Sequence, residues 1–218
     1  MIYIRKANDR GHVNHGWLNT YHSFSFASYY DPAFMGFSAL RVINEDVLQG
    51  GGGFGMHPHK DMEILTYILS GSIAHKDSMG NAEMLRAGEF QIMSAGTGIR
   101  HSEYNASESE PLHLYQIWIH PNVLNLTPRY EQKDFESLPA SVSGAFRQLI
   151  LSPNAEENSL KIYQDMRLWR YRGITNETIP LEPSRHYYLQ VVRGSFEIGT
   201  WSGVVSLREG VANEAIIV

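Results

Sequence analysis

The middle of the chain alternates short apolar runs with turns that contain glycine. Strand-like segments occupy residues 62–69, 72–76, 82–85, 90–93 and 112–119. Gly71 and Gly88 stand in two of the turns between them, and no long apolar face with a helical period of 3.6 residues interrupts the pattern. Short strands separated by glycine turns are typical of a sandwich or barrel, so an all-β fold is predicted here.

A different composition follows the last of these strands. Residues 120–148 contain Pro121, Pro128 and Pro139 together with several serines, which predicts a linker with at most one short turn of helix. Strand-like runs then resume at residues 148–151, 160–164, 187–192, 195–198 and 204–207.

The two strand-rich halves share an internal pattern. The run that ends at Gly71 resembles the run that ends at Gly194, and the next turn glycines, Gly88 and Gly210, follow 17 and 16 residues later. The match favours a duplicated β module, although strand–turn–strand units can also look alike by chance. The predicted fold is therefore all-β, with two tandem antiparallel β-sandwich or barrel modules.

Composition and charge narrow the classes of function. The 218 residues carry a net charge of −5, which argues against direct nucleic-acid binding through a broad basic surface. The absence of cysteine excludes disulfides, thiolate metal sites and a cysteine nucleophile. No apolar run reaches 18 residues and the N-terminus turns polar early, so we expect no membrane span, no signal peptide and a cytoplasmic location.

Two short pairs among the ten histidines and the acidic residues carry candidate metal chemistry. His57 and His59 stand two apart, and so do His101 and Glu103. On extended chain such pairs project from one face, roughly 6.5–7 Å apart along the strand. Either pair alone could be a surface or structural feature. Together they predict an N₃O site with open positions, which suits Fe(II) and also Mn, Co, Ni, Cu or Zn. Glu63 shares the parity of the first pair, so spacing alone leaves it open as a ligand.

Three strings in the sequence resemble the pirin branch of the cupin family, with bacterial pirin-like quercetin 2,3-dioxygenases as the nearest members. They are His-Pro-His-Lys-Asp-Met-Glu at 57–63, Gly-Thr-Gly-Ile-Arg-His-Ser-Glu-Tyr-Asn at 96–105, and His-Ser-Phe-Ser-Phe-Ala-Ser-Tyr-Tyr-Asp-Pro at 22–32. The resemblance covers residues 1 to about 170 and is looser beyond.

The resemblance implies a bicupin with a metal-binding domain at 1–125 and a cupin-like domain without metal at 126–218. It implies His57, His59, His101 and Glu103 as the ligands, with Glu63 nearby but not bound to the ion. The repeat alignment agrees with one site, because Pro180 and Glu182 replace the first histidine pair in the second module. That module has little room for closing strands, so either its sheet is shorter than in the family or the chain is incomplete.

The resemblance also implies the activity. A metal-dependent dioxygenase, with Fe(II) first among the ions, would open a flavonol such as quercetin at its 2,3 bond with O₂ and release carbon monoxide. Glu103 would accept the proton of the 3-hydroxyl. The alternative is a redox- or metal-sensing regulator that binds a transcription factor or a metabolic enzyme. We expect a monomer in either case.

The remaining aromatic residues are predicted to serve mainly in packing, and the remaining histidines to have ordinary roles. An aromatic cluster near the N-terminus could wall a pocket, although core packing is favoured for each member: Phe24, Phe26, Tyr29, Tyr30, Phe34, Met35 and Phe37. Tyr115 is expected to border the cavity. The histidines outside the two pairs, His75 among them, are expected to be ordinary.

Overall fold

The computed structural model describes residues 2–136, 146–172, 177–195, 197–201, 204–208 and 214–218. Apart from two short 3-10 turns, Ala7–Asp9 and Glu156–Asn158, its regular structure is β. The chain divides into two compact units, one made of residues 1–134 and 162–164 and the other of 135–161 and 165–218. Among the described residues, no helix has the length and apolar character needed to span a membrane.

The first unit consists of two antiparallel sheets. Its strands are β1 (Gly11–Asn14), β2 (Leu18–His22), β3 (Leu40–Leu48), β4 (Gly53–His59), β5 (Glu63–Ser70), β6 (Ser72–Asp77), β7 (Ala82–Arg86), β8 (Glu89–Ser94), β9 (Ile99–Asn105), β10 (Leu112–Ile119) and β11 (Arg129–Asp134). Seven strands pair in the order β1-β2-β3-β10-β5-β8-β11, and four pair in the order β4-β9-β6-β7. The shorter sheet therefore contains both strands that carry the predicted ligand pairs.

The inner face of the seven-stranded sheet changes character along its strands. On β5, Ile64 belongs to one buried apolar cluster with Met93 and Ile99, and Ile68 belongs to another with Ile73 and Leu114. Thr66 lies between them on the same face, since side chains of a strand alternate with a period of two. Two apolar clusters therefore flank a polar zone in the middle of this unit.

The second unit also has two sheets. Its strands are β12 (Phe146–Ser152), β13 (Leu160–Lys161), β14 (Leu168–Arg172), β15 (Glu177–Pro180), β16 (Leu189–Arg193), β17 (Glu197–Trp201), β18 (Val204–Arg208) and β19 (Glu214–Ile217). They pair in the orders β13-β12-β14-β19-β16 and β15-β18-β17.

The two units repeat one chain path, as the internal pattern predicted. The turn at Gly71 takes the chain from the larger sheet to the smaller one, and the turn at Gly194 does the same. Both glycines adopt left-handed backbone, with φ of 80° and 79°, which residues with a side chain rarely adopt. The hairpin β6–β7 corresponds to β17–β18, and β8 returns to β5 as β19 returns to β16. Gly210 lies outside the described residues.

Two sequence-based expectations were wrong in detail. The linker expected at 120–148 contains β11, which pairs with β8 along its whole length. Its sequence, Arg-Tyr-Glu-Gln-Lys-Asp, forms a half-buried edge strand, so it has no apolar run to reveal it. The strand expected at 160–164 ends at Lys161. The domain boundary at 125/126 stays a prediction.

Candidate metal centre

Three predicted histidines meet where β4 pairs with β9. His57 lies directly opposite His101 in this pairing, and His59 points to the same side from two residues further along β4. The ring centroids are 4.4 Å apart for His57–His101, 4.8 Å for His57–His59 and 4.9 Å for His59–His101. One nitrogen from each ring lies within 4.8 Å of the others, a spacing that can accommodate one metal ion.

The rings have nitrogen atoms free for an ion. His57 Nδ1 lies 2.7 Å from the carbonyl oxygen of Gly55; since a carbonyl only accepts, Nδ1 carries the proton and Nε2 keeps its lone pair. Among the described residues, no hydrogen-bond partner is found for His59 Nε2 or for either ring nitrogen of His101, all of them buried. Buried polar atoms normally have a partner. These nitrogens fit a metal, which would take the lone pair of one nitrogen from each ring.

Burial keeps the imidazoles of His59 and His101 neutral. Burial, together with the neighbouring His57 ring, lowers the pKa of His101 to about 3. The same two causes, burial first and then the nearby rings of His101 and His57, lower the pKa of His59 to about 4. At neutral pH both side chains are therefore unprotonated, the form that binds metals.

The predicted carboxylate, Glu103, is buried beside this histidine cluster and is clamped by amides. Gln91 Nε2 donates to its Oε1 at 2.7 Å, and the Thr66 hydroxyl lies 3.4 Å from the same oxygen. Gln116 Nε2 donates to Oε2. Oxygens of Glu103 and nitrogens of His101 and His75 lie within 4.8 Å of one another, so the structure groups this carboxylate with His75 as well as His101.

The residues that clamp the carboxylate belong to one polar row across the seven-stranded sheet. Cross-strand neighbours in register form this row: His22, Asn44, Gln116, Thr66, Gln91 and Gln132. Two of its side-chain amides are held by hydrogen bonds to their oxygens: Tyr130 donates to Gln91 Oε1 at 2.9 Å, and Trp118 Nε1 donates to Gln116 Oε1 at 3.2 Å. With each amide oxygen occupied, the NH₂ groups are left to face Glu103.

Sequence reasoning missed His75. This residue stands opposite Glu103 in the β6–β9 pairing and is 1% exposed. Its ring lies 5.3 Å from that of His101 and stacks at 4.7 Å on Tyr130. A signal was present, because His75 and Asp77 repeat the two-residue spacing of the other two pairs.

Glu63, which spacing left open as a ligand, lies away from the cluster. Its carboxylate accepts hydrogen bonds from the Ser94 hydroxyl at 2.9 Å and from the backbone N–H of Tyr163 at 3.3 Å. It faces the side of β5 opposite to Thr66, and the pKa of its carboxyl is raised by burial. The parity argument fails because the chain turns between β4 and β5, where Asp61 has a φ of 46°.

Tyr115 does not border the site, contrary to expectation. Gln116 and Trp118 face the centre, so Tyr115 projects from the other side of β10. There its hydroxyl donates to Glu45 at 2.9 Å. Burial opposes ionisation of Glu45, yet hydrogen bonds from His113, Arg10 and Tyr115 together lower its pKa to about 2.

Part of the N-terminal aromatic cluster does reach the site. Phe26 packs edge-on against Trp118 at 5.2 Å, and Trp118 packs edge-on against His59 at 4.9 Å. Both aromatic side chains are half-buried, whereas Phe24 is buried and Tyr30 and Met35 are exposed. Two rings therefore line an approach to the histidines.

Two tandem β modules with a histidine cluster and a buried carboxylate in the first define a bicupin with a candidate metal centre. Comparison with family models agrees. Residues 3–119 match the model described as Pirin, and residues 149–211 match the model described as the quercetinase C-terminal cupin domain. The chain belongs to the pirin family.

Its relatives are close and cover most of the chain. A protein named quercetin 2,3-dioxygenase from Escherichia coli strain K12 is 60% identical over 200 residues, which is 91% of this chain and 84% of that protein. The protein of the same name from E. coli O157:H7 is 58% identical over 97% of this chain and 89% of its own length. A crystal structure of the E. coli bacterial pirin YhhW with nickel(II) matches with a TM-score of 0.92 and 52% identity, over 100% of this chain and 97% of that one.

Proposed function

We propose that this pirin is a metal-dependent dioxygenase that cleaves a flavonol of the quercetin type at its 2,3 bond with release of carbon monoxide. The observation that carries the proposal is the cluster of three histidines beside a buried carboxylate, in which His59 and His101 have buried ring nitrogens without a hydrogen-bond partner among the described residues. The names of the E. coli relatives supply the substrate class.

We propose His57, His59, His101 and Glu103 as the residues that would hold the ion. We propose Fe(II) as the first candidate for the ion, and a donor set of nitrogen and oxygen also suits Mn, Co, Ni, Cu or Zn. The nickel(II) in the E. coli pirin structure supports a divalent transition metal. A bound ion would supply a positive centre that lowers the pKa of a coordinated hydroxyl.

The side chains around this centre provide the remaining chemistry. Glu103, fixed by its amide clamp, is positioned to accept the proton of the flavonol 3-hydroxyl. The half-buried rings of Trp118 and Phe26 offer aromatic edges and faces to a planar ligand. The buried apolar clusters on either side of the polar row limit the access of water to it.

The test compares quercetin with a flavone of the same skeleton that lacks only the 3-hydroxyl. Metal-loaded protein should consume O₂ and release carbon monoxide with the flavonol and leave the flavone unchanged. Turnover of both compounds would overturn the mechanism. No uptake with either, alongside a protein recovered by pull-down, would favour the regulatory alternative.

The setting of the reaction completes the proposal. We propose a cytoplasmic monomer whose small-molecule partners are the flavonol and O₂. The domains would be residues 1–125 with the metal and residues 126–218 without one. Size-exclusion chromatography with light scattering tests the oligomeric state.

A further inference from the structure

A second group of metal-type donors lies directly behind the three histidines. It consists of His75 on β6 and His101 and Glu103 on β9, and their ligand atoms lie within 4.8 Å of one another. All three residues are buried, each 1% exposed. Two histidines and one carboxylate form the donor set typical of non-haem Fe(II) oxygenases.

His75 has the surroundings of a metal ligand. Its Nε2 lies 3.3 Å from Asp77 Oδ2, and because a carboxylate only accepts, Nε2 carries the proton and Nδ1 keeps its lone pair. That Nδ1 is buried, and the part of the chain that the structure describes offers it no hydrogen-bond partner. Histidine ligands usually donate their second ring N–H to a carboxylate, which fixes the ring and raises its basicity.

The carboxylate that holds His75 is itself fixed. Asn81 Nδ2 donates to Asp77 Oδ2 at 2.7 Å, and the backbone N–H groups of Met79 and Asn81 donate to Oδ1 at 2.9 and 3.1 Å. Tyr130 stacks on one face of the His75 ring. These contacts hold the ring in one orientation.

His101 connects the two groups. Both of its ring nitrogens are buried and have no hydrogen-bond partner among the described residues. In the neutral ring one of them keeps a lone pair and the other carries the proton. Its pairing partner on β4 is His57, and its pairing partner on β6 is Asp77. A neutral ring offers one lone pair, so His101 would serve one ion at a time, and an outer ion alone would leave Nδ1 of His75 without a partner in the described part of the chain.

We infer that the chain has a second, inner ion position whose ligands are His75, His101 and Glu103. The inference rests on the proposed function, because it shares His101 and Glu103 with the ligand set proposed there. The two positions would share His101 and Glu103; the outer one would add His57 and His59, and the inner one would add His75. His75 is the ligand that belongs to the inner position alone.

The test removes the outer histidines and asks whether an ion still binds. The variant His57→Ala/His59→Ala should bind Co(II), followed by its visible absorption and by calorimetry, with lower affinity than the natural protein. Adding His75→Ala should weaken this remaining binding at least about tenfold, the size of loss expected when a side chain essential to a metal site is removed. Adding His113→Ala instead, a histidine on the opposite face of β10 bonded to Glu45, should leave the binding unchanged.

Three outcomes overturn the inference. They are no Co(II) binding by the double variant, equal binding with and without His75, and equal losses from His75→Ala and His113→Ala. If the natural protein binds Co(II) through His57 and His59 while the double variant binds none, the proposed function stands and the inner position does not. If the natural protein binds no Co(II) at all, both fail.

A measurement on the natural sequence covers the case in which the double variant does not fold. Protein labelled with ¹⁵N-histidine is titrated with Zn(II), and the His75 ring nitrogens are assigned by their loss in His75→Gln. The inference expects the Nδ1 signal to shift on addition of the metal. A His75 signal that stays in place through the full titration contradicts it.

Discussion

The amide clamp on Glu103 gives a prediction that can be worked out from the structure. Gln116→Leu removes the N–H group that donates to Glu103 Oε2 while keeping a side chain of similar size. The carboxylate then loses one of its fixed donors inside a buried site. Removal of such partners typically costs about 10- to 100-fold in metal affinity, or about 1.4–2.8 kcal/mol. We expect Gln116→Leu to weaken metal binding by this factor.

The assay is competition of Co(II) against a chelating dye, with circular dichroism to confirm folding. Gln132→Leu is the matched control, because Gln132 stands in the same polar row but bonds Tyr130 rather than Glu103. Its metal affinity should stay within about twofold of the natural protein, as expected for a site without a direct link to the ligands. Equal affinities for the two leucine variants would refute the idea that the clamp positions Glu103.

Three further predictions follow from the site and its surroundings. Trp118→Ala should raise KM for quercetin about threefold to tenfold, since an aromatic contact is worth about 0.5–1.5 kcal/mol, whereas Trp118→Phe should keep most of the affinity in steady-state O₂ uptake. Burial raises the pKa of Asp46 to about 7, so the folded protein holds this proton above the unfolded pKa of 3.8 and loses stability as pH rises towards 7. In urea unfolding of the metal-free proteins, the free energy of unfolding of Asp46→Asn should therefore exceed that of the natural protein by a margin that grows by about 2–3 kcal/mol from pH 5 to pH 8. A margin that stays constant with pH would contradict this prediction. His101 and His59, with pKa values lowered to about 3 and about 4, give stability the opposite dependence on pH. The stability they contribute is complete above pH 6.5 and is lost as pH falls towards these values. Metal-free protein should unfold at lower urea concentration at pH 4.5 than at pH 7, and His101→Gln should reduce that difference.

The sequence predicted the histidine cluster because the relevant spacing is local. His57 and His59 lie on one strand, and two residues of extended chain place them on the same face whatever else the fold does. The pairing of β4 with β9 then brings His101 to them. Glu103 follows from the same period-two rule.

His75 escaped notice because its place depends on a non-local pairing. Its own strand is adjacent in the chain to β5 and β7, yet its functional neighbour is β9, more than twenty residues further on. Nothing in the spacing of a single pair states which strands will be neighbours. A search for every pair of ligand-type residues two apart would have included His75 and Asp77.

The polar row was also readable in part. Thr66, Gln91 and Gln116 each stand within an otherwise apolar strand, where a buried polar side chain requires a partner. What the sequence could not supply is that the three positions are in register across β5, β8 and β10. Register is set by the pairing of distant strands, and it turns three isolated polar residues into one clamp.

Spacing alone left Glu63 open as a ligand for a different physical reason. Counting by two from His59 assumes that the chain stays extended, but it turns at Asp61 into the other sheet. Glu63 consequently begins a new strand with its own alternation. Parity carries information only within one uninterrupted strand.

The most direct test of the central claim measures metal content and flavonol-dependent O₂ uptake together in the natural protein and in His101→Ala. His101 belongs to both donor groups, so the account predicts that the natural protein binds a divalent metal and consumes O₂ with quercetin, and that the variant, folded by circular dichroism, loses both. Equal metal content in the two proteins would contradict the account.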